Sequence, residues 1–229
     1  ILLGKDIGTV MVLALIMIGM LFISGERIPR LLGIGGVCLA AIVGLALLRP
    51  TLLSRLTAFL DPFSAAHYLG LGWQPAHSRM ALATGGVFGV GLGGSRQKWG
   101  NLGPEAHTDF IFAVIGEEIG LLGTTIVLAA FFMIAWAGIK TAIATRDPFS
   151  RYAVAGITVW IIAQASINIG SVTGVFPVVG LPLPLVSYGG SALISSMVGL
   201  AFILGVARRE PEAKSYFDAR PKLLVWRGR

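Results

Sequence analysis

Five apolar stretches, at about 7–24, 31–48, 110–139, 152–170 and 185–206, limit the fold of this chain more than any other feature. Each is at least 18 residues long and nearly free of charge. About 20 such residues wound as a helix cross the roughly 30 Å of bilayer hydrocarbon. A helix also satisfies its own backbone where no water is available to do so. The pattern therefore predicts an all-α membrane protein with about five transmembrane helices, forming one polytopic domain over residues 1–229. Charged residues make up 13% of the chain and its mean hydropathy is +0.82. An ordinary soluble domain carries about 25% charged residues, so a water-soluble fold is excluded.

The net charge of +7 does not indicate nucleic acid. The basic residues lie between and after the apolar stretches, with no aromatic-interleaved basic patch. Their distribution instead sets an orientation, because Lys and Arg accumulate on cytoplasmic flanks. With the tail 208–229 placed inside, the turns carrying Arg27/Arg30 and Lys140/Arg146/Arg151 are also inside, which accounts for twelve of the eighteen Lys and Arg residues. The segment 50–109 then forms a long extracytoplasmic loop. Breakers such as Asp61-Pro62, Trp73-Gln74-Pro75, the glycines of 85–94 and Leu102-Gly103-Pro104 mark this loop as irregular. A loop of this length in a compact protein usually carries function. The single cysteine, Cys38, reads as a small buried hydrophobe. The chain opens on Ile1 rather than Met and reads as a piece of a longer polypeptide.

Candidate chemistry gathers where the loop meets the third apolar stretch, at Pro104-Glu105-Ala106-His107-Thr108-Asp109. Asp109 stands where a helix begins and reads either as a cap or as a reactive carboxylate. Glu117 and Glu118 follow about 12 and 13.5 Å further along that helix, at a rise of 1.5 Å per residue. Carboxyl groups at that depth face protein or a water-filled path. They point roughly 80° and 180° away from Asp109, so the three acids do not form one cluster. Upstream, Ser95-Arg96-Gln97-Lys98 places two cations on the same side of the membrane as Asp109. These residues suit either lipid headgroups or a substrate phosphate. Ser187, Tyr188 and Ser191, beside Pro182 and Pro184, are candidates to line a cavity at the outer end of the last helix. His67, His77 and His107 lack metal-ligand spacing, and the glycines of 89–94 lack the strand and the Lys-Ser/Thr of a nucleotide loop.

Taken in order, Asp6-Ile7-Gly8-Thr9, Leu56 through Pro62, Gly89 through Lys98, Pro104 through Gly120 and Leu181 through Ser191 resemble one family. This is the SEDS family of bacterial cell-wall glycosyltransferases, typified by FtsW, RodA and SpoVE. The resemblance implies the second half of a ten-helix fold, and Gly116-Glu117-Glu118 with Gly120-Leu121-Leu122-Gly123 looks closer to the division and sporulation branch. Lys5, Trp73 and Gly103 depart from the family pattern.

By the same resemblance, Asp109 is the catalytic general base in polymerisation of lipid II onto an undecaprenyl-pyrophosphate-linked glycan. Arg96, Gln97, Lys98, Glu105, His107, Thr108, Ser187, Tyr188 and Ser191 are the expected substrate-binding residues, with Glu117 and Glu118 as intramembrane polar groups. A divalent cation, Mg or Mn, is the only candidate cofactor. Expected partners are membrane lipid, a class B penicillin-binding transpeptidase and other division proteins. The expected location is the bacterial plasma membrane at the division septum, with the C-terminus cytoplasmic. Two other functions fit the same residues. One is a lipid II flippase, with Glu117 and Glu118 lining its path, and the other is a non-catalytic scaffold for the transpeptidase.

Overall fold

The computed structural model describes residues 7–47 and 50–210, and among these there are helices and loops but no strand. The expectations for Lys5, Asp6 and most of the tail lie outside the described residues. The helices are α1 (Ile7–Ile23), α2 (Ile28–Leu47), α3 (Pro50–Leu60), α4 (Trp73–Gly85), α5 (Ile111–Ala144), α6 (Pro148–Thr173) and α7 (Gly190–Ala207), with short 3₁₀ turns at Gln97–Trp99 and Gly103–His107. Helices α5, α6 and α7 are long and apolar enough to cross a membrane. The 17 residues of α1 rise about 26 Å, close to the hydrocarbon thickness.

Helix α6 is the axis of the bundle, packed against α1, α4, α5 and α7. Half of its membrane-length window is buried, against 22% for α5 and α7. Close packing in lipid depends on small residues at the contact. A Cβ on Gly138 of α5 would lie 2.2 Å from Thr158 Oγ1 of α6, and one on Gly19 of α1 would lie 2.7 Å from Val159 of α6. The outer faces of α5 and α7 present Ile126, Phe132, Met133, Trp136, Ile194, Met197 and Val198, all exposed and apolar, as a lipid-facing surface requires. Helix α6 begins four residues before the apolar stretch that announced it. Asp147 caps it by accepting from Ser150 N at 2.8 Å, and Pro148 occupies the first turn.

The loop 50–109 is more ordered than its breakers suggest. It contains α3 and α4, because Pro50 and Pro75 both fall in a first helical turn, where no intrahelical N–H donor is required. The last stretch, expected from 185, becomes helical only at Gly190, and Leu185 adopts a left-handed φ of 64° in the turn before it.

Helix α5 is broken once, at Gly120, where φ is 73° and ψ is −158°. The glycine-rich segment after α4 enters this break. Val90 N donates to Glu117 O at 2.9 Å and Gly91 N to Glu118 O at 3.0 Å, while Leu121 N donates to Gly86 O at 2.9 Å. Irregular backbone at membrane depth is tolerated where protein supplies its missing partners, and the loop does so here. The approach requires glycine on both sides. A Cβ on Gly85 would lie 1.8 Å from Gly116 O, one on Gly89 2.1 Å from Glu118 O, and one on Gly120 2.5 Å from Gly89 N.

Candidate functional site

Asp109 lies just before α5 but does not cap it. The cap position falls on Phe110, and no side chain bonds to the helix end. The Asp109 carboxylate instead lines an open cavity of about 640 Å³ beneath α3 and the start of α4. Glu105, Arg55, Phe59, Gln74 and Gly180 share its wall. Gln74 Nε2 donates to Glu105 Oε2 at 3.1 Å, which fixes that neighbour. Burial raises the pKa of Asp109, the nearby charge of Glu105 raises it further, and a hydrogen bond from Thr108 partly opposes both. A carboxylate tuned upward in this way is a better proton acceptor near neutral pH than a fully solvated one.

The backbone around Asp109 is held from two directions. Glu105 O accepts from Asp109 N at 3.0 Å and from Phe110 N at 3.1 Å, closing the turn that ends the loop. From α6, Asn168 Nδ2 donates to Asp109 O at 2.8 Å and to Leu181 O at 2.6 Å. The proline-rich turn is attached by Ser187, whose Oγ donates to Thr108 O and accepts from Leu183 N at 2.7 Å. Tyr188 N donates to His107 O at 2.9 Å, and the Tyr188 and His107 rings meet edge to face at 5.5 Å.

Glu117 is 1% exposed and forms a second, separate polar centre. Its carboxylate accepts from Ser95 Oγ at 2.5 Å, Arg96 N at 3.1 Å, Gln97 N at 3.3 Å and Thr84 Oγ1 at 3.4 Å. Two hydroxyls and two backbone amides satisfy its oxygens without a cation. Glu118 pairs instead with Lys98 Nζ. The two acids thus tie the 95–98 segment to α5.

The structure redistributes several of the expected site residues. Asp109, Glu105, His107 and Thr108 are grouped as the sequence suggests, with Asp109 and Glu105 in the cavity wall. Arg96 and Lys98 do not line that cavity, and Lys98 is already engaged by Glu118. Gln97 is also committed within the loop, accepting from Asn101 Nδ2 at 2.9 Å and lying 2.7 Å from His77 Nδ1. Ser187 is buried as a structural tie, while Tyr188 and Ser191 are exposed outside the cavity wall.

The cation that does line the cavity, Arg55, and the amide Asn168 were not among the sequence candidates. Gln164 and Asn168 stand four apart in an otherwise apolar stretch, so they share one helix face, and that spacing was the available signal. Nothing local distinguishes Arg55. Among the described residues no three His, Cys, Asp or Glu side chains converge to hold a metal ion.

The sequence model of the FtsW/RodA/SpoVE family, described as "Cell cycle protein", matches residues 1–212. The chain is 41% identical over 203 residues to stage V sporulation protein E of Bacillus subtilis, an alignment covering 89% of this chain and 55% of that protein. It is 42% identical over 204 residues to a probable peptidoglycan glycosyltransferase FtsW of Tolumonas auensis, covering 88% of this chain and 52% of the relative. A chain from a solved peptidoglycan synthase complex, which coordinates polymerization and crosslinking, superposes with a TM-score of 0.72 at 30% identity. That superposition covers 92% of this chain and 58% of the other. The chain thus spans about half the length of the relatives it matches.

Proposed function

The chain belongs to the FtsW/RodA/SpoVE family of cell cycle proteins, and from that premise we propose that it forms the catalytic half of a peptidoglycan glycosyltransferase that polymerises lipid II. The observation that carries this reading is the shared cavity of Asp109 and Arg55, at the loop-side end of α5. Asp109, its pKa raised, and Arg55 line the same space, and apolar residues such as Phe59 and Val178 complete the wall. A lipid-linked sugar pyrophosphate presents the matching chemistry of hydroxyl, anionic and apolar groups.

In the proposed step, Asp109 accepts the proton of the acceptor sugar's 4-hydroxyl as its oxygen attacks the anomeric carbon of the donor. The bond from that carbon to pyrophosphate breaks, and undecaprenyl pyrophosphate leaves with the electron pair. Arg55 takes the role that the sequence suggested for Arg96 and Lys98, stabilising the leaving charge through a planar donor fork. The acceptor enters from the face opposite the leaving group, so one displacement inverts the anomeric centre and one base suffices. The flippase reading is less well supported, since Glu117 is enclosed by four donors and Glu118 by Lys98. We place the protein at the division septum, with its C-terminus in the cytoplasm and a class B penicillin-binding transpeptidase as partner.

The test is glycan-chain formation from purified lipid II by the full-length parent with its partner, compared with the Asp109→Ala variant. In that assay Arg55→Ala is expected to lower kcat/KM about ten- to a hundred-fold, the loss typical of a charge-assisted contact. Arg96→Ala should change it by less than about three-fold, as an exposed cation outside the cavity. Equal losses at the two positions would remove Arg55 from the role. Glu105→Gln deletes a repelling charge beside Asp109, so the acid limb of the pH–rate profile is expected to move to lower pH. A limb that stayed in place would mean that Glu105 does not set the ionisation of the base.

A further inference from the structure

Beside Asp109, on the side of α6, lies a second and much smaller cavity of about 10 Å³. Asp109, Asn168, Ser171, Val178 and Gly180 line it, and Asp109, Val178 and Gly180 also line the large cavity, so the two meet at the carboxylate. Asn168 is 2% exposed. Its Nδ2 donates to Asp109 O and Leu181 O, and these two carbonyls fix the orientation of the amide, because a flip would set Oδ1 against both of them. The remaining polar atom, Oδ1, is buried and accepts from no described group of the protein. Ser171 Oγ, the nearest hydroxyl of the lining, is directed to Ile167 O at 2.8 Å and Pro177 O at 3.0 Å.

A buried amide oxygen without a donor is unfavourable, and native structures satisfy nearly all such atoms with protein or ordered water. A cavity of about 10 Å³ accommodates about one water molecule when polar partners are present. We propose that a single ordered water donates one hydrogen to Asn168 Oδ1 and the other to the Asp109 carboxylate, which makes Asn168 a positioning residue of the site. The amide then holds Asp109 twice, at its backbone carbonyl directly and at its side chain through the water. The water would leave the other carboxylate oxygen for the large cavity, whose wall carries Glu105, the neighbouring charge that raises the pKa of Asp109. Gly180 has a left-handed φ of 72°, and a Cβ built on it would stand 3.5 Å from Asp109 Oδ2, which puts the carboxylate beside the residue that lines both cavities.

The inference rests on the proposed role of Asp109 only for its catalytic consequence, because the water itself is directly observable. The first measurement is a map of the unsubstituted full-length parent, by crystallography or electron microscopy, at a resolution where other buried waters are visible. Density within hydrogen-bond distance of both Asn168 Oδ1 and an Asp109 carboxylate oxygen is expected. A map with no such density, or with Oδ1 taken by a protein donor such as Ser171 Oγ, overturns the proposal whatever the activity of the protein. The second measurement is the pH–rate profile of Asn168→Leu, in which loss of the bridging donor should move the acid limb up by about one pH unit. Where Asp109→Ala abolishes activity, an unmoved limb in a folded Asn168→Leu variant would overturn the positioning role of Asn168. If Asp109→Ala keeps its polymerase activity while the water is present, the catalytic reading fails and the water site stands.

Discussion

Replacing Asp109 by alanine in the full-length parent is expected to abolish glycan polymerisation while leaving folding and partner binding intact. A positioned general base typically contributes 10²- to 10⁴-fold, and no neighbour is placed to substitute for it. Glu105, the other carboxylate of the cavity, is held by Gln74. Folding should survive because the structural bonds at this position belong to the backbone. Asp109 N and Asp109 O carry the contacts to Glu105 and Asn168, and neither depends on the side chain. Product formation from purified lipid II, read together with the melting temperature, separates the outcomes. Full activity in the variant would remove Asp109 as the base and shift weight to a scaffolding role. Loss of activity with a large fall in melting temperature would mean that the residue is structural.

A second large effect is expected at Gly89, where alanine should destabilise the fold by about 3 kcal/mol or more. The residue has φ of 78°, which costs an L residue roughly 1 to 3 kcal/mol. In addition its Cβ would fall 2.1 Å from Glu118 O, so the loop would have to withdraw from the break in α5. Withdrawal exposes Glu117 O and Glu118 O, now paired with Val90 N and Gly91 N, each bond contributing about 1 kcal/mol. Gly91 provides the control. Its φ of 99° is also left-handed, but a Cβ there would meet nothing within 4 Å. Gly91→Ala therefore reports backbone strain alone and should lower the melting temperature distinctly less than Gly89→Ala. Equal losses in the two variants would show that the close approach of loop and helix adds little to stability.

Both effects reflect one construction. The glycine segment is fastened into α5, the fastened segment leads into Ser95 through Lys98, and Glu117 and Glu118 grip that stretch from the helix. The loop continues to Asn101, whose O accepts from Nε1 of Trp73 at the start of α4 at 2.5 Å, and ends at the turn that carries Asp109. Acids that the sequence offered as a translocation path thus bond to the loop, and Asp109 is left to the cavity.

Sequence alone determined the class of fold, because hydropathy is a sum over neighbouring residues and needs no knowledge of what packs where. The apolar stretches and the concentration of polar residues at 104–109 were legible in that way. So was the family, from ordered motifs such as Pro104 through Gly120. Local start signals were present at Asp147-Pro148, Pro50 and Pro75, and Pro75, which the sequence suggests as a breaker, falls in the first turn of α4. Tertiary structure decided which charges meet. Lys98 goes to Glu118, 20 residues away, and Arg55 shares a wall with Asp109 although 54 positions separate them in the chain. It likewise decided that α5 breaks at Gly120 to admit Gly89, and that Asn168 of α6 reaches the backbone of Asp109, 59 residues earlier. Such pairings depend on distances between remote segments, which one-dimensional periodicity does not encode.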